Sequence, residues 1–170
     1  MLGFLFRRLT ADRQAGAPLF DALTAEARQK HWYVEGEVPD TVDGRFAVLA
    51  TVTAIANVRL EREAAEGDRL SVALAERFIE VMESEHRELG LGDPALGRTV
   101  RKLVGMLAKR TGLWRAALLG AGNEIEATRE SLYRDDVAAT ALKHSAAALK
   151  RFAARLDSTP LAQMEQGTLS

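Results

Sequence analysis

The chain reads as all-α, a single-domain bundle of about six helices with short connections. Three observations predict this class. Apolar residues recur at three- and four-residue spacing in one segment after another, and no stretch shows the alternation of β-branched residues that marks a half-buried strand. The four prolines, Pro18, Pro39, Pro94 and Pro160, each stand beside a plausible helix boundary. With 170 residues, 47% of them apolar, the chain can bury roughly 70% of the surface its unfolded form exposes, so one core suffices without a staple.

The first helix is predicted over 18–33, opening with Pro18 in its first turn and carrying Leu19, Phe20, Leu23, Ala27 and Trp32. A loop around Val38 and Pro39 follows. Asp40, with Asp43 three residues on, resembles an N-cap, and Phe46, Leu49, Val52, Ile55, Ala56 and Leu60 then mark a second helix to about Ala65. Gly67-Asp68 reads as a stop and a fresh cap. Leu70, Leu74, Phe78, Val81, Met82 and Leu89 form the face of a third helix, ended by Gly90. Asp93-Pro94 is a strong start signal, a capping side chain before a residue that needs no N–H at the first position. The fourth helix, to about Leu119, gathers Leu96, Val100, Leu103, Val104, Leu107, Thr111, Trp114 and Leu118 on one side, and Gly120 and Gly122 close it. A short helix near Glu124–Arg134 precedes a long one that Asp135 would cap, carrying Val137, Leu142, Leu149, Phe152 and Leu156. The domain expectation is an N-terminal amphipathic segment at 1–17, a helical domain at 18–156 and a flexible tail at 157–170.

Several function classes fall away. The chain has no cysteine, which excludes disulfides, thiolate metal sites and a cysteine nucleophile. A net charge of -1 gives no support for a protein that coats nucleic acid, and no DNA partner is expected. The longest nearly apolar stretch, Ala47 to Ala56, is shorter than the roughly 18–20 residues of a bilayer span. The N-terminus places Leu2, Phe4, Leu5 and Phe6 before Arg7 and Arg8 and lacks a cleavage site, so it does not read as a secretory signal. An amphipathic surface anchor, a free terminus and a core-docking segment remain open for it.

Catalytic signals are weak. His31, His86 and His144 are far apart in sequence. Glu83 and His86 share the Glu-x-x-His spacing of di-iron bundles, but such a site needs a second copy and two more carboxylates. The glycine-rich run from Gly90 to Gly97 lacks both the preceding strand and the Lys-Ser/Thr ending of a phosphate loop. No cofactor, metal or catalytic residue is expected, and the reading is non-enzymatic. Charge segregation says more. Residues 61–93 hold ten acidic and four basic side chains, whereas 98–115 hold six basic and none acidic. Arg98, Lys102 and Lys109 cluster opposite the apolar face of the fourth helix, flanked by Arg101, with Gly105 and Gly112 on the same side. This is either a partner surface or a solvated stripe partly neutralised by the acidic helix before it.

Two segments carry a family resemblance. HWYVEGEVPDTVDGRF, from His31 to Phe46, and MESEHRELGLGDPALGRTVRK, from Met82 to Lys102, resemble the two signature blocks of the ubiquinol-cytochrome c chaperone family, in the same order. The resemblance implies an all-helical chaperone that binds newly made cytochrome b, or an assembly intermediate of it, and assists assembly of ubiquinol-cytochrome c reductase. It also implies work at the ribosome or the inner-membrane surface from the cytoplasm. A membrane-surface scaffold or adaptor is the alternative reading; the oligomeric state stays open. Carried over by position, the matching residues include Tyr33, Val38, Pro39, Asp40, Thr41, Gly44, Arg45 and Phe46, then Arg87, Asp93, Gly97, Arg98, Arg101 and Lys102. Glu37 departs from the pattern, because many relatives have glycine before Val-Pro-Asp-Thr. The partner-binding candidates are Trp32, Tyr33, Pro39, Asp40, Thr41, Arg45, Phe46, Arg87, Asp93, Arg98, Arg101, Lys102 and Lys109. For the three aromatics, core packing competes with exposure. Asp40 and Arg45 are also placed to tie the loop to the helix that follows.

Overall fold

The computed structural model describes residues 16–88 and 93–170, with the side chains of 85–88, 93–97 and 99 outside that description. Seven α-helices run through the described residues, and no strand is among them: α1 Ala17–Ala27, α2 Val42–Leu60, α3 Ala64–Glu88, α4 Asp93–Leu118, α5 Glu124–Leu132, α6 Ala139–Ser158 and α7 Leu161–Glu165, with a single 3₁₀ turn at Lys30–Trp32. From α1 to α6 each helix packs on the next, as the short connections predict.

The hub is α2, which touches α1, α3, α4, α5 and α6. Every residue from Ala47 to Leu60 is buried, so α2 has no solvent face beyond its first turn, and a helix buried all round belongs in an interior. Most of its few polar side chains are used, although the Thr53 hydroxyl is buried without a hydrogen-bond partner. Thr51 Oγ1 donates to the Ala47 carbonyl at 2.7 Å. Arg59 donates through Nε to the Leu156 carbonyl at 3.1 Å and through Nη2 to that of Thr159 at 3.2 Å, while Nη1 pairs with Glu63 at 2.6 Å. These bonds fasten the end of α6 to the centre of the molecule.

Several predicted boundaries move. Arg28 caps α1, and Gln29, with extended backbone, breaks the helix before the 3₁₀ turn, so Trp32 is buried on a separate element. Thr41, not Asp40, caps α2: its Oγ1 accepts from the Gly44 N–H at 3.2 Å. Gly67 lies inside the first turn of α3 rather than at a stop, where a Cβ would fall 2.0 Å from the Leu60 carbonyl oxygen. The corner between α2 and α3 is made instead by Ala64, in left-handed backbone at φ 49. Asp135 caps nothing, since α6 begins later, at Ala139, with Ala138 at the cap and no side-chain bond. Asn123 does cap α5, accepting from the N–H groups of Ile125 and Glu126.

The segment expected as a flexible tail folds back. Met164 of α7 is fully buried, α7 packs on α1, and Arg69 pairs with Glu165 at 2.6 Å. Gly167, at φ 73, brings its backbone so close to Pro18 that a Cβ would lie 2.4 Å from that carbonyl oxygen. A buried thioether and a docked glycine turn supply anchoring that composition alone did not reveal. The N-terminal segment lies almost wholly outside the described residues.

Candidate functional site

The loop between α1 and α2 is fastened at nearly every residue, and it shapes two cavities. Trp32 is fully buried, its Nε1 donating to the Glu26 carbonyl at 2.9 Å. Tyr33 donates its hydroxyl to the Ala27 carbonyl at 2.7 Å. Tyr133 of α5's C-terminal cap donates to the Gly36 carbonyl at 2.6 Å and lies 2.7 Å from Ser145 Oγ on α6. His31 Nδ1 and His144 Nε2 share a hydrogen bond of 3.2 Å, one ring donating and the other accepting. Arg134 pairs with Asp43 at 3.0 Å. On the exposed side, Arg45 Nε donates to Asp40 Oδ1 at 2.7 Å. That bond holds the Asp40 carboxyl below its ordinary range and raises the Arg45 guanidinium. Burial pushes the Tyr33 and Tyr133 phenols up, so both stay protonated donors at neutral pH.

One side of this loop faces a groove of about 1080 Å³ between α1, the 3₁₀ turn, the start of α2 and α3. Its apolar lining comes from Phe20, Phe46, Leu49, Val81 and Met82, with Val34 and Val42 standing out at its edge, 68% and 64% exposed. The Phe46 ring packs 5.7 Å from that of Phe78, which leaves it half-buried. The charged lining is Arg28, Lys30, Arg45 and Arg77 against Asp21 and Asp40. The cations outnumber the acids, with Arg45 paired to Asp40 and Arg77 to Glu80. An apolar floor with a basic rim can hold an apolar polypeptide segment that carries acidic groups.

On the other side of the loop lies a smaller cavity of about 290 Å³, bounded by Pro39, Thr41, Gly44, Arg110 and Tyr133. Arg110 donates to the carbonyls of Ser131 at 2.8 Å and Met106 at 3.3 Å, and burial lowers its pKa from the usual arginine value. At about 290 Å³ this cavity is much the smaller of the two, and exposed residues such as Pro39, Thr41 and Asp43 form part of its edge.

The structure therefore sorts the predicted site residues. Tyr33, Asp40, Arg45 and Phe46 come together on the large groove. Pro39 is exposed and Thr41, the α2 cap, is spent on the backbone, both toward the smaller cavity. Trp32 is wholly interior and lines neither cavity. Arg98, Arg101 and Lys102 are exposed on α4 and line neither cavity, while Lys109 pairs with Glu130 of α5 at 3.2 Å. The side chains of Arg87 and Asp93 lie outside the described residues. The same is true of His86, and among the described residues no group of three or more metal-ligating side chains occurs. Phe20, Arg28, Lys30, Leu49, Arg77, Val81 and Met82 were missed as site residues. They look like ordinary core or surface positions of α1 to α3 and the turn, and only packing collects them.

Two comparisons with known proteins found a match. Residues 35–170 match the family model described as ubiquinol-cytochrome C chaperone. The crystal structure of the Cbp3 homolog from Brucella abortus superposes with a TM-score of 0.75 at 28% sequence identity, covering 100% of this chain and 96% of that one. No curated protein sequence matches the chain.

Proposed function

This chain belongs to the ubiquinol-cytochrome c chaperone family, and on that premise we propose that it is an assembly chaperone for ubiquinol-cytochrome c reductase whose client is newly made cytochrome b. The observation that carries the reading is the groove beside the family's first signature block. Pockets for small molecules run to about 1,000 Å³ and are largely enclosed. This groove is at the top of that range, is open, and carries two exposed valines at its edge, which suits a short stretch of polypeptide better than a metabolite. A membrane subunit leaving the ribosome presents apolar segments that need cover until partners arrive. A groove with an apolar floor shields such a segment, and the basic rim selects one flanked by acidic residues.

No helix among the described residues is long and apolar enough to cross a membrane, so on this reading the protein meets its client from outside the bilayer. The chaperone reading assigns no chemistry to Glu83 or His86.

Photocrosslinking from positions 34 and 42 in cells making cytochrome b tests the proposal. Cytochrome b is expected as the main adduct at both positions, and Val34→Glu/Val42→Glu is expected to lower both the adduct and the assembled reductase. Reductase that assembles normally when the protein is deleted would sink the chaperone role. Adducts that never include cytochrome b would sink the client assignment.

A further inference from the structure

The outer face of α4 lies apart from both cavities. Arg98, Arg101 and Lys102 are exposed there and have no carboxylate partner among the described residues, unlike Lys109, which pairs with Glu130, and Arg115, which pairs with Glu61. No acidic residue occurs anywhere from 98 to 119. Further along the same face, a Cβ added to Gly105 or Gly112 would meet nothing within 4 Å, so both positions are open, with the exposed Lys109 between them. Val104, expected on the apolar side, is instead 45% exposed at the margin of this face, and Leu119, just past the helix, is 67% exposed. The chain's net charge is only -1, so this concentration of positive charge is local and gives the molecule a preferred orientation in a field.

We propose that this face of α4 docks on anionic phospholipid headgroups. Three unpaired cations on an exposed helix surface, with no pocket and no aromatic side chain among them, can face many headgroups at once. An acidic peptide or a nucleic acid would find no groove here to hold its backbone, whereas a headgroup layer requires only charge and exposure. The assignment stands independently of what the groove between α1, α2 and α3 binds. If both hold, the docked protein presents the groove from a membrane surface.

Flotation of the full chain with vesicles tests this, comparing phosphatidylcholine alone with phosphatidylcholine containing about one-third phosphatidylglycerol. Each basic side chain near an anionic surface contributes roughly fivefold in affinity, so Arg98→Gln/Arg101→Gln/Lys102→Gln is expected to reduce binding to the anionic vesicles on the order of a hundredfold. Arg98→Lys/Arg101→Lys should preserve it, since charge and not guanidinium geometry is at work. Added salt should release the protein as the screening length falls below about 8 Å. Arg7→Gln/Arg8→Gln separates the N-terminal segment from α4. The proposal fails if the wild-type chain does not bind anionic vesicles, if the triple variant binds them as the wild type does, or if only the Arg7/Arg8 variant loses binding. It also fails if the face captures an acidic peptide while leaving the vesicles free.

Discussion

A Cβ placed on Gly44 would lie 1.9 Å from the carbonyl oxygen of Pro39. The first turn of α2 therefore folds directly over the loop that enters it, with the Thr41 cap between them. No side chain fits there, and the obstacle is backbone, which cannot rotate away. Gly44→Ala is expected to destabilise the fold by about 1–3 kcal/mol, the range of clashes that force backbone to move, read as a drop in the urea midpoint. A midpoint within error of wild type would refute the close approach.

Glu37 makes the opposite case. It holds a left-handed backbone at φ 50, a conformation that costs a residue with a Cβ about 1–2 kcal/mol. Glycine adopts it freely but loses about 0.5–1 kcal/mol more chain entropy on folding. Glu37→Gly should thus stabilise by about 0.5–1 kcal/mol, which explains the glycine that the resemblance to the chaperone family leads one to expect at this position. A thermal scan showing a lower melting temperature for the variant would contradict the strain argument.

His31, hydrogen-bonded to His144, is expected to make stability depend on pH. Burial, and then the neighbouring His144, lower the His31 pKa from 6.5; Arg151 lowers it further, while Glu26 and Glu35 oppose the change. The unfolded chain then binds the proton more readily than the folded one. The contribution of this group is complete above 6.5 and is lost as pH falls through the lower folded value. Urea midpoints measured about one unit to either side of that pH should drop on the acid side, and His31→Gln should shrink the drop. An equal drop in both proteins would show that other groups are responsible.

Asp40 and Arg45 are exposed and joined by one 2.7 Å bond. Solvent-exposed pairs contribute little to stability, so Asp40→Asn and Arg45→Gln should leave the melting temperature essentially unchanged. Because both side chains line the large groove, Arg45→Gln should weaken client capture, whereas Asp40→Asn, which removes an acid from the basic rim, should not. Loss of folding would show that the pair is structural; unchanged capture by Arg45→Gln would remove Arg45 from the site.

The C-terminal residues belong to the folded unit. Met164 is fully buried, and truncating a buried methionine to alanine typically costs about 2–5 kcal/mol. Met164→Ala is expected to cost about 2–3 kcal/mol, because α7 lies at the edge of the core and can partly collapse around the gap. An unperturbed denaturation curve would mean that residues after Ser158 fold independently of the domain.

Much of the fold was legible along the chain. The starts of α1 at Pro18 and of α4 at Asp93-Pro94, and the end of α4 before Gly120, follow from local backbone chemistry acting within a few residues. The core faces of α3, α4 and α6 follow from spacing, and Leu74, Phe78, Leu103, Leu107, Trp114, Leu149 and Phe152 are buried as predicted. The misplaced boundaries share a cause. Gly67 and Asp135 carry punctuation chemistry, but Gly67 is needed for a close approach to Leu60, and Asp135 lies in the long connection before α6.

By itself the sequence determined the all-helical class, the family signature and the separation of charge between the third and fourth helices, because each depends on neighbours a few residues apart. Tertiary structure decided that α2 is enclosed on every side from Ala47 onward, that Trp32 is interior while Tyr33 and Phe46 reach a groove, and that the C-terminal residues dock on α1. Those properties depend on which distant helices surround a residue. A groove lined by Phe20, Phe46 and Met82 comes into being only when α1, α2 and α3 are packed together.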